Sequence, residues 1–118
     1  MSVSTKFETI STDEQASRLM PGGSSNPHLV VFCGHGSTVV EKAEAILETT
    51  PLPSQWRLAR VDPASAETTA RWFGLGDIPS MAVIRKGTIL AIEQECSAEA
   101  FSRLIEVARR REHLVESA

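Results

Sequence analysis

The chain has no tyrosine, and aromatic residues make up only 5% of its 118 residues. Any core must therefore be aliphatic. Two cysteines, Cys33 and Cys96, lie far apart in sequence. They make no C-x-x-C pair and no zinc-finger spacing. No stretch approaches the roughly 20 apolar residues that a membrane helix needs. The N-terminus shows no basic region followed by an apolar run, so no secretory signal is read and a cytoplasmic location with reduced thiols is expected. Nor is there an excess of positive charge. A net charge of −3 argues against a nucleic-acid surface. No internal repeat is visible.

What is present is ordinary for a globular protein: 42% apolar and 23% charged residues. The length suits one domain with one core, spanning 1–118. Phe7 to Ile10 reads as a short edge strand. Ser11 and Glu14 have the spacing of a capping box for a helix running to about Met20, with Ala16, Leu19 and Met20 on one side. A loop rich in Pro, Gly and Ser follows. His28-Leu29-Val30-Val31-Phe32-Cys33 is a continuous apolar run of the length of a buried central strand. Gly34-His35-Gly36-Ser37 is a tight turn. A helix from Thr38 to about Thr49 presents Val39, Val40, Ala43, Ile46 and Leu47 inward.

Residues 56–61 have the length of a strand. Asp62-Pro63 has the form of an N-cap and first helical position, opening a helix with Ala66, Ala70 and Phe73 that ends at Gly74. Pro79 heads the next apolar run, where a residue without an N–H is tolerated. Ile78-Pro79 is a candidate cis peptide, with an ordinary trans bond as the other reading. Lys86-Gly87 reads as a hairpin turn. Ser97 can cap a last helix whose Phe101, Leu104, Ile105 and Ala108 face the sheet. The order is β-α-β-α-β-α-β-β-α, an α/β arrangement with a central mixed sheet and flanking helices.

The stretch from Phe73 to Ile89 resembles the cis-proline hairpin of thioredoxins: aromatic-Gly, Ile-Pro-Ser, an apolar strand and basic-Gly. The likeness extends over essentially the whole chain and implies a thioredoxin-like fold. It also implies where chemistry would sit, between the first core strand and its helix. Aligned without gaps, the four motif positions fall on Ser37-Thr38-Val39-Val40, and the family's buried carboxylate falls on Val31. Dithiol exchange needs an attacking thiolate and a resolving thiol, and neither is there. No catalytic residue, metal or cofactor is expected.

Cys33 is the alternative nucleophile, for a monothiol oxidoreductase or peroxidase with His35 as base; the competing reading is a buried structural thiol. His35 otherwise serves as a polar turn residue, and Ser37 as a helix cap. In the family, the groove beside the proline holds extended polypeptide by strand addition. The resemblance puts Gly34, His35, Gly36, Ser37, Ile78 and Pro79 along that groove. A chain that keeps the groove without the thiols would bind polypeptide rather than oxidise it. An adaptor using the sheet edge is a third reading.

Three stretches are similar to HyaE/HupG-type hydrogenase-expression accessory proteins: residues 55–62 (QWRLARVD), 71–74 (RWFG) and 78–83 (IPSMAV). That likeness implies a chaperone in [NiFe]-hydrogenase maturation, with the small subunit or its signal peptide as partner. At the proline step the sequence departs from the family's more frequent Phe-Pro-Ala or Trp-Pro-Ala.

Overall fold

A computed structural model describes residues 7–23, 25–34, 38–50, 52–53, 55–74, 80–95 and 97–117. Five strands form one mixed sheet. In chain order they are β1 (Glu8–Ile10), β2 (His28–Phe32), β3 (Arg57–Val61), β4 (Ser80–Arg85) and β5 (Thr88–Glu93), and their spatial order is β1-β3-β2-β4-β5. β2 runs parallel to β3, as does β1, while β4 is antiparallel to both β2 and β5. The helices are α1 (Val39–Leu47), α2 (Glu67–Phe73) and α3 (Ala98–Ser117).

The sheet separates two apolar clusters, because alternate residues of a strand face opposite sides. Leu29 and Val31 of β2 join Val40, Ala43 and Leu47 of α1 and Phe101, Leu104 and Ala108 of α3 on one side. Val30 and Phe32 join Leu19, Val61, Phe73 and Ile84 on the other. All five β2 residues are buried, which accounts for the missing alternation in the sequence. Phe32 meets Phe73 edge-on, with ring centroids 6.1 Å apart, a favoured aromatic geometry.

Local signals work at most boundaries. The Ser97 hydroxyl accepts from the Ala100 N–H at 3.1 Å, capping α3. Gly74 closes α2 with φ 71°, the left-handed cap that glycine adopts without a steric cost. Lys86 and Gly87 both have positive φ (50° and 81°), the signature of a type I′ hairpin turn whose twist matches the strands.

Two expected helix starts are corrected. Residues 15–19 form a 3₁₀ segment rather than an α-helix. Gln15 rather than Glu14 makes the local bonds at its start: the Gln15 N–H donates to Thr12 Oγ1 at 3.1 Å, and Gln15 Oε1 accepts from the Ser11 N–H at 2.8 Å. Pieces this short are commonly 3₁₀. The second correction concerns α2, which begins at Glu67 and not at Asp62-Pro63. Asp62 Oδ1 takes the Ala64 N–H at 2.9 Å, a local turn that competes with helix. The cap comes from far away. Asp13 Oδ1 accepts from the Thr69 N–H at 2.7 Å and from its hydroxyl at 2.8 Å. This carboxylate at a helix start satisfies a free N–H and complements the dipole.

Candidate functional site

The described residues that flank the expected site, Cys33–Gly34 and Ser80, lie at one end of the sheet. β2 and β3 are parallel, so both end there. β4 is antiparallel to β2, so it begins there. The register is explicit: Phe32 pairs with Val61 on one side and with Ser80 on the other. Cys33 and Gly34, which follow Phe32, therefore leave the sheet beside the start of β4. Of the expected site residues, Cys33 and Gly34 are placed. His35, Gly36, Ser37, Ile78 and Pro79, with the proposed cis bond, lie outside the described residues.

Cys33 continues the line of β2. Its N–H donates to the Val61 carbonyl at 3.1 Å. It is 1% exposed and belongs to the apolar cluster of Leu29, Val31, Val40 and Met81. A thiol held this way behaves as a small apolar group. Gly34 is exposed, and its carbonyl accepts from Arg60 Nη2 at 3.4 Å. This places a cation of β3 at the rim of the turn. Ser80 is 2% exposed, a buried hydroxyl at the head of β4. On the far side of the turn, Thr38 is exposed and Val39 opens α1 without a side-chain cap from Thr38.

Val31, where the resemblance puts a buried carboxylate, is 0% exposed in the same cluster as Cys33. It has no proton to exchange. No group of three or more His, Cys, Asp or Glu side chains among the described residues could hold a metal. Thr38, Val39 and Val40 are not thiols, so the start of α1 presents hydroxyl and hydrocarbon where a nucleophile would stand.

Two residues near this framework carried no separate signal in the sequence. Arg60 sits in a strand read only by length, and its reach to Gly34 depends on strand pairing. His28 heads the apolar run of β2 and is 3% exposed. A polar residue immediately after Pro27 and before four apolar ones marks a strand start, and that is the one cue that separates it from the run.

No protein-family model matches the chain, and no curated protein matches its sequence. Solved structures do resemble it. A thioredoxin of Malassezia sympodialis superposes with a TM-score of 0.67 at 12% identity, over 95% of this chain and 96% of that one. A thioredoxin of Fasciola hepatica gives 0.65 at 16%, over 85% and 97%. The Plasmodium falciparum thioredoxin gives 0.63 at 13%, over 84% and 96%. The chain therefore has a thioredoxin-like fold.

Proposed function

We propose that this chain binds an extended polypeptide without thiol chemistry, as an accessory chaperone in [NiFe]-hydrogenase maturation, with the small subunit's signal peptide as its ligand. The observation that carries this reading is the environment of Cys33. The Cys33 thiol is sealed into the core, and the strand register sets the end of β2 beside the start of β4, the described residues that flank the proposed groove. Backbone groups there are suited to strand addition, in which main-chain bonds give affinity and flanking side chains give selectivity. Burial of Cys33 weighs against the monothiol alternative, since a nucleophile must reach its substrate. The hydrogenase assignment rests on the resemblance of residues 55–62, 71–74 and 78–83, whose described parts take in all of β3, the end of α2 and the start of β4. The negative net charge suits a signal peptide carrying paired arginines.

A fluorescein-labelled twin-arginine signal peptide, titrated with the protein and followed by anisotropy, tests the proposal. Saturable binding is expected. It should weaken in Ile78→Asp and stay unchanged in Cys33→Ala. Binding that Ile78→Asp leaves intact would move the site elsewhere. Binding that needs Cys33, or a mixed disulfide recovered from the complex, would replace this reading with the thiol one.

A further inference from the structure

A second cleft, of about 480 Å³, opens at the opposite end of the sheet, lined by Glu8, Ser17, Arg18, Asn26, His28 and Arg57. It lies at the start of β2, about 13 Å along the strand from the end that carries the proposed peptide site. Its walls follow from the register. His28 pairs with Arg57 across β2 and β3, so both side chains leave the same face. Glu8 of β1 pairs with Ala59, two residues on from Arg57 and on that same face. The 3₁₀ segment crosses this face and brings Ser17 and Arg18.

The charges do not cancel. Arg18 is paired with Glu8. Arg57 has no carboxylate within ion-pair distance among the described residues. His28 is almost wholly buried yet lines the cleft. Its Nδ1 lies 3.0 Å from the Asn26 carbonyl. A carbonyl can only accept, so Nδ1 carries the hydrogen and Nε2 is left with a lone pair when the ring is neutral. Burial, the largest influence, holds the imidazole below its ordinary pKa. The Asn26 carbonyl and Glu8 oppose that shift, and Arg18 and Arg57 reinforce it. The cleft thus combines one guanidinium without an ion-pair partner among the described residues, a second with spare N–H groups, a hydroxyl and the His28 ring.

We propose that this cleft is a second binding site, for a small organic oxyanion that also carries an O–H or N–H group. The oxyanion, phosphate or carboxylate, takes the Arg57 fork and the outer N–H groups of Arg18, a geometry that guanidinium serves well. The ligand's own donor faces His28 Nε2. An anion without a hydrogen to donate, such as sulfate, fills only part of the volume and leaves that acceptor unused. The site is independent of the peptide-binding proposal.

NMR titrations of the full chain at pH 7.5 and low salt test this, observing the His28 ring and Arg57 side-chain signals. The probes are inorganic sulfate, glycerol phosphate and lactate. Saturable shifts at His28 and Arg57 are expected, with glycerol phosphate or lactate binding more tightly than sulfate. Which of the two leads distinguishes a phosphate from a carboxylate ligand. Arg57→Gln changes an exposed side chain and should weaken binding about tenfold or more, the strength of a charge-assisted hydrogen bond. His28→Phe should remove the advantage of the hydroxyl-bearing probes. Shifts that grow linearly without saturating, that persist in Arg57→Gln, or that centre away from His28 and Arg57 would overturn the proposal. Should His28→Phe fail to fold, Arg57→Gln still decides.

Discussion

The reactivity of Cys33 separates a peptide holder from a monothiol enzyme, and the structure fixes the size of the effect. The thiol is 1% exposed, its backbone N–H is bonded to Val61, and it shares a cluster with both flanking helices. A disulfide reagent can reach it only when the end of β2 separates from β3 and from α1. Core strands open with free energies close to the global stability. At the low end of that range, about 5 kcal/mol, the open form is populated at less than about one part in a thousand. The native rate should therefore fall three to four powers of ten below that of the same thiol in urea. The assay is stopped-flow reaction with an aromatic disulfide reagent, in a Cys96→Ser background so that a single thiol is counted. The rate should rise linearly with reagent and climb steeply with sub-denaturing urea. A native rate within tenfold of the unfolded one would mean an opening cost of under about 1.4 kcal/mol. That result would refute the reasoning and restore Cys33 as a nucleophile at the mouth of the site.

The hairpin turn should respond oppositely at its two positions. Gly87→Ala places a Cβ 2.4 Å from Pro21 Cδ at φ 81°, and should cost about 2 kcal/mol or more in urea unfolding. Lys86→Asn at φ 50° should stabilise by about 0.5–1 kcal/mol, because Asn-Gly is the preferred pair for this turn. Hydrogen bonds from the Thr69 hydroxyl and N–H hold the Asp13 carboxyl below its ordinary pKa. Its contribution is thus present above the unfolded carboxylate pKa and lost as pH falls through the lower folded value. Asp13→Ala should lower the melting temperature at pH 7, and its gap from the parent should narrow on acidification; a gap independent of pH would dissociate the cap from its charge. His28, with its pKa lowered mainly by burial, binds a proton more readily when unfolded. Stability should therefore decline as pH falls from the ordinary histidine pKa towards the folded one. A ring titration by NMR at or above the ordinary value would contradict this.

Burial patterns made most of the fold legible. The β2 run, the α1 and α3 stripes and the Lys86-Gly87 turn each follow from residues within a few positions of one another. Caps that act across the chain left no such trace. Asp13 meets Thr69 only after β1 has paired with β3 and the 3₁₀ segment has crossed the sheet face. The sequence therefore offered Asp62, a local candidate with the right chemistry, and the fold used it for a turn.

The same distinction governs the site. Absence of a dithiol is a fact of sequence, legible at once. Whether the remaining nearby thiol could act alone depends on its burial, which follows from strand pairing and helix packing together. His28 shows the limit of pattern most clearly. A strand covered on both faces loses its alternation, so a buried imidazole at its head is hidden among apolar neighbours. Its chemistry emerges only when parallel pairing sets Arg57 beside it and the 3₁₀ segment brings Arg18 over the same face. Among the described residues, the start of β2 gathers Glu8, Arg18, His28 and Arg57 around one cleft. A fold that loses its thiols need not lose its capacity for ligands; here polar groups converge at the N-terminal end of β2, away from the strand end where thioredoxins keep their chemistry.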